Sequence, residues 1–300
     1  MSAGHVAERF RRLDLDGLAM AAFVVVMLVF AGARAFGLSP WDGRGVDLYA
    51  YWTTRDGLAY STAHQGDTGA YLYSPVFAQL ISPLTSLPWR AFAGVWTLLA
   101  AAPLLWLAGR YAILLLFLPP IAMSVLLGQL DLVFAAAVVA GFRWPVAWAP
   151  LIVTKVTPGV GLVWFLVRRE WRALGTAIAA TLVVVAISAA LDPAGWAAWI
   201  ELLRRAEFPV MGGSLYFLPV PLWVRLPVAV GLIAWGALTD RRWTVPVGIC
   251  LALPTVWLNS PTILVAVLPL VAAGARTPAG KWLRSRDAAS QDLPLMPDTA

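Results

Sequence analysis

Residues 17–36 read GLAMAAFVVVMLVFAGARAF, an apolar run whose one charge is Arg34. A bilayer's hydrocarbon core is about 30 Å thick and takes about 20 apolar residues at about 1.5 Å each. The stretch therefore has the length of one crossing. Arg9, Arg11 and Arg12 precede it. Ala31-Gly32-Ala33 offers a small-residue cleavage site, but the chain beyond it is mostly further apolar sequence. The run is therefore expected to be a retained first span that also targets the chain.

Working outward, the same pattern recurs along the chain. Of its 300 residues 60% are hydrophobic and only 13% charged, with a mean hydropathy of +0.76. A soluble domain carries roughly 25% charged residues, so this composition leaves too little polar surface for one. Further apolar runs occur at about 71–87, 91–108, 111–127, 130–142, 146–167, 173–191, 218–238, 245–258 and 262–275. Backbone groups in lipid must bond within the segment, which points to helices. Strand-type alternation over ten-residue segments is absent, which excludes a barrel. The expected fold class is all-α, a polytopic transmembrane helical bundle of ten spans. Eight is the rival count, because the runs 111–127 and 130–142 are short and split at Gly128-Gln129. No sustained internal repeat supports an inverted-repeat transporter. Residues 1–275 read as one membrane domain with outer loops at 37–70 and 192–216. Residues 276–300 read as a polar cytoplasmic tail expected to be disordered.

The net charge of +6 lies in clusters between apolar runs. No basic stripe with interleaved aromatics exists, so nucleic acid is not an expected partner. The segments around Arg9–Arg12, Arg168–Arg172, Asp240–Arg242 and Arg276–Arg286 fall on one side of a ten-span chain. The positive-inside rule makes that side the cytoplasm, with both termini inside and both long insertions outside the plasma membrane. Arg44, Arg55, Arg204 and Arg205 depart from the bias. The one cysteine, Cys250, makes neither an internal disulfide nor a cysteine metal cluster. His5 and His64 are far apart in sequence, and no metal-ligand cluster, P-loop or dinucleotide fingerprint is present. No cofactor is expected, and metal dependence stays open.

Polar residues at membrane depth are costly and therefore informative. Lys155, in LIVTKVTPG, is one of two lysines, and the other is Lys281. It lies thirteen residues before Arg168, about 20 Å along a helix, inside or near the hydrocarbon slab. An unpaired lysine at mid-bilayer costs about 2.5–3.5 kcal/mol on insertion scales. Either a bound phosphate or a structural ion pair, for instance with Asp131, would compensate it. Pro158 loosens the helix by freeing the Thr154 carbonyl. Gly128-Gln129-Leu130-Asp131 places two more polar groups between apolar runs, facing a cavity or making a tight surface turn. In the first outer insertion, Asp47, Tyr51 and Arg55 are spaced i, i+4, i+8 and share a helical face, with Leu48, Trp52 and Leu58 on another. The segment is expected to rest as an amphipathic helix at the outer membrane surface. Asp47 there is a candidate general base; an N-cap or an ion pair with Arg55 is the alternative. Tyr71-Leu72-Tyr73-Ser74-Pro75-Val76-Phe77 either lines an aromatic sugar site or marks the interface. Arg204 and Arg205 are candidates to hold an anionic headgroup, or are solvated charges.

Read in order, the aspartate after span 1, the YLYSPVFA segment at 71–78, Gly-Gln at 128–129, Lys-Val-Thr-Pro at 155–158 and Arg-Arg-Glu-Trp-Arg at 168–172 resemble glycosyltransferase family 87. The resemblance runs over roughly residues 40–200. It is similar in turn to the actinobacterial mannosyltransferases that use polyprenyl-phosphate mannose. It implies a GT-C fold, a polyprenyl-phosphate sugar donor, a glycolipid or glycan acceptor, a lipid bilayer as host, and hexose transfer on the outer face. Asp47 falls at the family's catalytic aspartate. Gln129 and Lys155 fall at its polar positions in later spans. Tyr51, Arg55, Tyr73, Arg204 and Arg205 complete the expected donor and substrate contacts. The C-terminal third has no histidine, where some relatives are thought to use one. A lipid-linked sugar transporter and a non-catalytic assembly subunit are the alternative functions.

Overall fold

A computed structural model describes residues 3–38, 47–63, 69–205, 218 and 220–274. Among these the regular elements are all helical, α or 3-10. The tail expected at 276–300 and parts of both outer insertions lie outside the described residues.

The first helix, Ala3–Ala35, holds nearly all of the expected span in its C-terminal part, where Leu15–Ala35 is apolar enough to cross a bilayer. Two further helices meet that test, Trp89–Leu115 and Trp171–Leu191. Pro119–Leu127 and Asp131–Gly141 meet it only together, bent by 106° at their junction. Each arm alone is too short for a crossing of about 20 residues. The two separate spans expected here are thus one broken span or a re-entrant hairpin. Residues 111–115, expected to open the first of them, instead continue the helix from Trp89. The remaining apolar helices are shorter: Pro145–Thr154, Thr157–Val167, Leu222–Leu238 and Ser260–Ala272. Among the described residues helix length alone supports three or four spans, and ten would require counting broken segments.

The long helices pack through small residues, the usual solution where lipid removes the hydrophobic drive for helices to associate. Gly94 lets the helix from Trp89 come close to the first helix. A Cβ there would lie 2.9 Å from the Ala31 carbonyl oxygen and 3.2 Å from the Ala35 Cβ. Lipid-length apolar faces remain outward, as at Val25, Val29, Leu182, Val183 and Ile187.

Charge marks the two ends of the bundle. At the start of the apolar stretch Leu15–Ala35 Asp16 pairs with Arg110 at 2.7 Å. At the other end the buried Arg34 donates to Thr97 Oγ1 at 2.9 Å and to the Leu126 carbonyl. Arg168 joins Glu170 (2.7 Å), Asp240 (3.2 Å) and the Ala237 carbonyl (3.0 Å). The basic loops at 168–172 and 240–242 therefore sit side by side, as loops sharing one membrane face would.

The surface helix with two contrasting faces lies in the second insertion. Asp192 starts Pro193–Arg205 by accepting the Gly195 amide at 2.8 Å, with proline in the first turn where its missing N–H costs nothing. Trp199 and Leu202 are buried and Glu201 and Arg204 face out. The first insertion differs from its expected form: Asp47–Trp52 is six residues long and buries Leu48, Ala50 and Tyr51. It is packed into the protein rather than laid on its surface.

Candidate active site

Three polar interruptions of apolar sequence form the heart of the site. The first is the elbow at Gly128. Pro119–Leu127 ends in a left-handed residue, Gly128 (φ 74°). The Gln129 amide reaches back to the Ser124 carbonyl (2.8 Å) and the Gly128 amide to Val125 (3.2 Å), a Schellman termination. Glycine is required twice over, because a Cβ would also meet the Leu48 Cβ at 2.6 Å. The Trp96 indole donates to the Gly128 carbonyl at 2.8 Å, fixing the elbow from a third element.

This elbow aims Gln129 at Asp47, whose carboxylate accepts a hydrogen bond from Gln129 Nε2. It also starts the helix Asp131–Gly141 with a carboxylate in the first turn, where the helix dipole favours negative charge. Asp131 is buried and accepts from Asn259 Nδ2 at 2.7 Å and Ser124 Oγ at 3.3 Å.

The second interruption is at Lys155. Trp148–Thr154 stops there, Lys155 is extended, and Thr157–Leu162 resumes as a 3-10 helix with Pro158 in its first turn. The Lys155 Nζ lies over the rings of Phe134 (5.4 Å) and Tyr73 (5.6 Å). Tyr73, Asp131 and Asp47 all act on it electrostatically. The third interruption is Asn259-Ser260-Pro261-Thr262, where a 3-10 turn follows the end of Thr244–Ala252.

Aromatic residues close the site. The hydroxyls of Tyr51 and Tyr73 are 3.2 Å apart, and the buried Tyr51 ring packs on Phe77 (5.2 Å) and Trp96 (5.1 Å). Ser74 Oγ donates to the Val153 carbonyl, tying the Tyr73 segment to the stretch of chain that carries Lys155.

Asp47 has an unusual proton affinity. Burial, the largest influence, lifts its carboxyl from an ordinary 3.8 to about 6. The Lys155 charge opposes the rise, the Asp131 charge adds to it, and the Gln129 hydrogen bond opposes it. A carboxylate poised near neutrality can be ionised at working pH and still take up a proton, as a general base must.

Of the residues singled out in the sequence, Asp47, Tyr51, Tyr73, Gln129 and Lys155 converge. Three arginines do not join them. The 3-10 turn Thr53–Asp56 tightens the chain after Trp52, which takes Arg55 off the face of Asp47 and Tyr51. Its guanidinium instead lies 3.9 Å from Asp56, 3.4 Å from the Leu87 carbonyl and over the Trp52 ring. Arg204 pairs with Glu201 at 3.7 Å. Arg205 donates to the carbonyls of Tyr60 (2.9 Å) and Ser61 (3.1 Å). Asp131 serves as an acidic member of the cluster, beyond its suggested pairing with Lys155. Asn259 and Ser124 went unforeseen. The signal for Asn259 was present: Asn-Ser-Pro-Thr splits an apolar run much as Thr154-Lys155-Val156-Thr157-Pro158 does.

With this geometry in place, the chain can be set beside known families. The sequence model of glycosyltransferase family 87 matches residues 71–285. The chain belongs to glycosyltransferase family 87. No curated protein and no solved structure matches it. The matched stretch holds Tyr73, Ser124, Gln129, Asp131, Lys155 and Asn259, and begins after Asp47 and Tyr51. The protein is thus a family 87 membrane glycosyltransferase, acting between a sugar donor and an acceptor. The elbow at Gly128 joins Asp47 to the part of the chain that carries the family signature.

Proposed function

We propose that this family 87 enzyme moves a hexose, mannose foremost, from a polyprenyl-phosphate donor to a glycolipid or glycan acceptor. The reaction takes place at the outer face of the plasma membrane, with both termini in the cytoplasm. The observation that carries the reading is the gathering of Asp47 and Lys155 in one cluster where each feels the other's charge, because the transfer needs a base at the attacking hydroxyl and a cation at the leaving phosphate.

Asp47 takes the proton of the acceptor hydroxyl as that oxygen attacks the anomeric carbon. The bond from that carbon to the donor phosphate breaks, and its electron pair leaves on the phosphate oxygen. Lys155 stabilises the charge that develops there, in a site where low dielectric makes such an interaction strong. Gln129 holds Asp47 in its acceptor orientation. One base and no covalent intermediate imply inversion at the anomeric carbon. The sidedness is supported by the Gly128 elbow lying near Arg34, at the end of the apolar stretch Leu15–Ala35 opposite Asp16.

The test is incubation of purified protein with radiolabelled polyprenyl-phosphate mannose and a membrane acceptor. A new glycosidic product, lost in Asp47→Asn, is the expected result. Broken helices around a half-buried cation also suit a lipid-linked sugar transporter. Donor movement across vesicles with no product would replace the transferase mechanism with that one.

A further inference from the structure

The segment Leu72-Tyr73-Ser74 is not helical, and of its carbonyls that of Ser74 takes a backbone amide, Phe77 at 3.2 Å, so the segment depends on side chains to be held. Three side chains donate to its carbonyls one after another. Trp199 Nε1 donates to the Leu72 carbonyl at 3.3 Å, the Tyr60 hydroxyl to the Tyr73 carbonyl at 2.7 Å, and the Tyr71 hydroxyl to the Ser74 carbonyl at 2.8 Å. Tyr60 is held in turn, since Arg205 donates to its carbonyl at 2.9 Å and to that of Ser61 at 3.1 Å. Two of these four donors, Trp199 and Arg205, belong to the helix Pro193–Arg205 in the second insertion. The segment they fix presents the Tyr73 ring to Lys155.

We infer that Trp199, Arg205 and Tyr60 are positioning residues: they form a latch that holds Tyr73, and through it the Lys155 ammonium, in place for an anionic donor. Arg205 thereby acts through two backbone carbonyls and not by touching the donor. The latch deepens the role assigned above to Lys155 and rests on it only for its kinetic consequence.

The chain's two lysines give a readout independent of turnover. Full-length protein in lipid is treated with a water-soluble acetylating ester, and the acetylation rates of Lys155 and Lys281 are compared by mass spectrometry, Lys281 serving as internal reference. Tyr60→Phe and Arg205→Gln are each expected to raise the Lys155 rate about three- to tenfold over Lys281, the scale of one lost hydrogen bond. Trp199→Phe, which keeps an aromatic ring in the same space, is expected to do the same. The Michaelis constant for donor rises by a similar factor in each variant, while that for acceptor stays constant. A Lys155 rate unchanged in all three variants overturns the latch. Faster acetylation with unchanged donor kinetics leaves the latch standing and removes Lys155 from donor binding. A donor defect in Arg205→Gln with no change in acetylation overturns the latch in favour of direct contact between Arg205 and the donor.

Discussion

Replacing Asp47 with asparagine should cripple transfer and stabilise the protein, the second effect growing with pH. The native carboxyl titrates at about 6 against an ordinary 3.8. One pH unit corresponds to about 1.36 kcal/mol, so ionising this group in the folded state costs about 3 kcal/mol more than in the unfolded chain. Linkage sets the sign: a carboxyl whose folded value is raised binds more protons folded than unfolded, so stability falls as pH climbs from about 4 to about 6 and then levels off. Asparagine imitates the protonated acid at every pH and can still accept from Gln129. The two proteins should unfold with a fixed offset at pH 4. The variant should gain steadily until it leads by about 5 °C above pH 7, taking a few degrees per kcal/mol for a chain of this size. Thermal unfolding in lipid nanodiscs from pH 4 to 8 measures the difference. Activity should fall about 10²- to 10⁴-fold, the usual contribution of a general base. Parallel unfolding curves across the pH range, or a wild type that gains on the variant as pH rises, would refute the claim that Asp47 is ionised at a cost inside the folded protein.

The same electrostatics give further expectations. Gln129→Leu removes a hydrogen bond that favours the ionised carboxylate, so the acidic limb of kcat/KM should move up by about one pH unit. Asp131→Asn removes a charge that raises Asp47, so that limb should move down instead, and pH–rate profiles of the two variants distinguish the directions. Lys155→Met should shift the limb upward and raise the donor KM more than the acceptor KM, and equal rises in both would exclude the phosphate role. Gly128→Ala forces a side chain into a left-handed turn, costing ~1–2 kcal/mol, and drives its Cβ into Leu48. Unfolding temperature should drop, and activity should fall further than that drop explains because Asp47 moves with Leu48.

The helical class and the chief polar residues were legible because each rests on composition over a short stretch. Twenty apolar residues between basic flanks read as a span whatever surrounds them. A lysine among LIVT and VTPG announces a special environment without any knowledge of its partners. What sequence reasoning missed depends on contacts between distant segments. Asp47–Trp52 has the spacing of an exposed amphipathic helix, yet it is buried because Gly128 lacks a side chain and admits Leu48. Arg55 has the right spacing to join Asp47, but the switch from α to 3-10 geometry at Thr53 rotates it away. Arg205 looks like a headgroup ligand by charge, whereas its position opposite two bare carbonyls makes it a structural donor.

The recurrence of helix breaks explains why this cluster can exist within an apolar bundle. A continuous helix satisfies its own backbone and offers a ligand only side chains. A break leaves amides and carbonyls that must find partners or line a polar space. Here the breaks fall at Gly128-Gln129, Lys155 to Pro158 and Asn259 to Pro261, with the helix start at Ser74-Pro75 beside them; proline sits in the first turn after three of these four points. The polar residues at these breaks then satisfy one another: Ser74 on Val153, Asn259 on Asp131, Gln129 on Asp47. Each interaction crosses from one broken segment to another element, so loosening any break displaces its partner as well. Base and cation are thereby held in register although more than 100 residues of sequence separate Asp47 from Lys155.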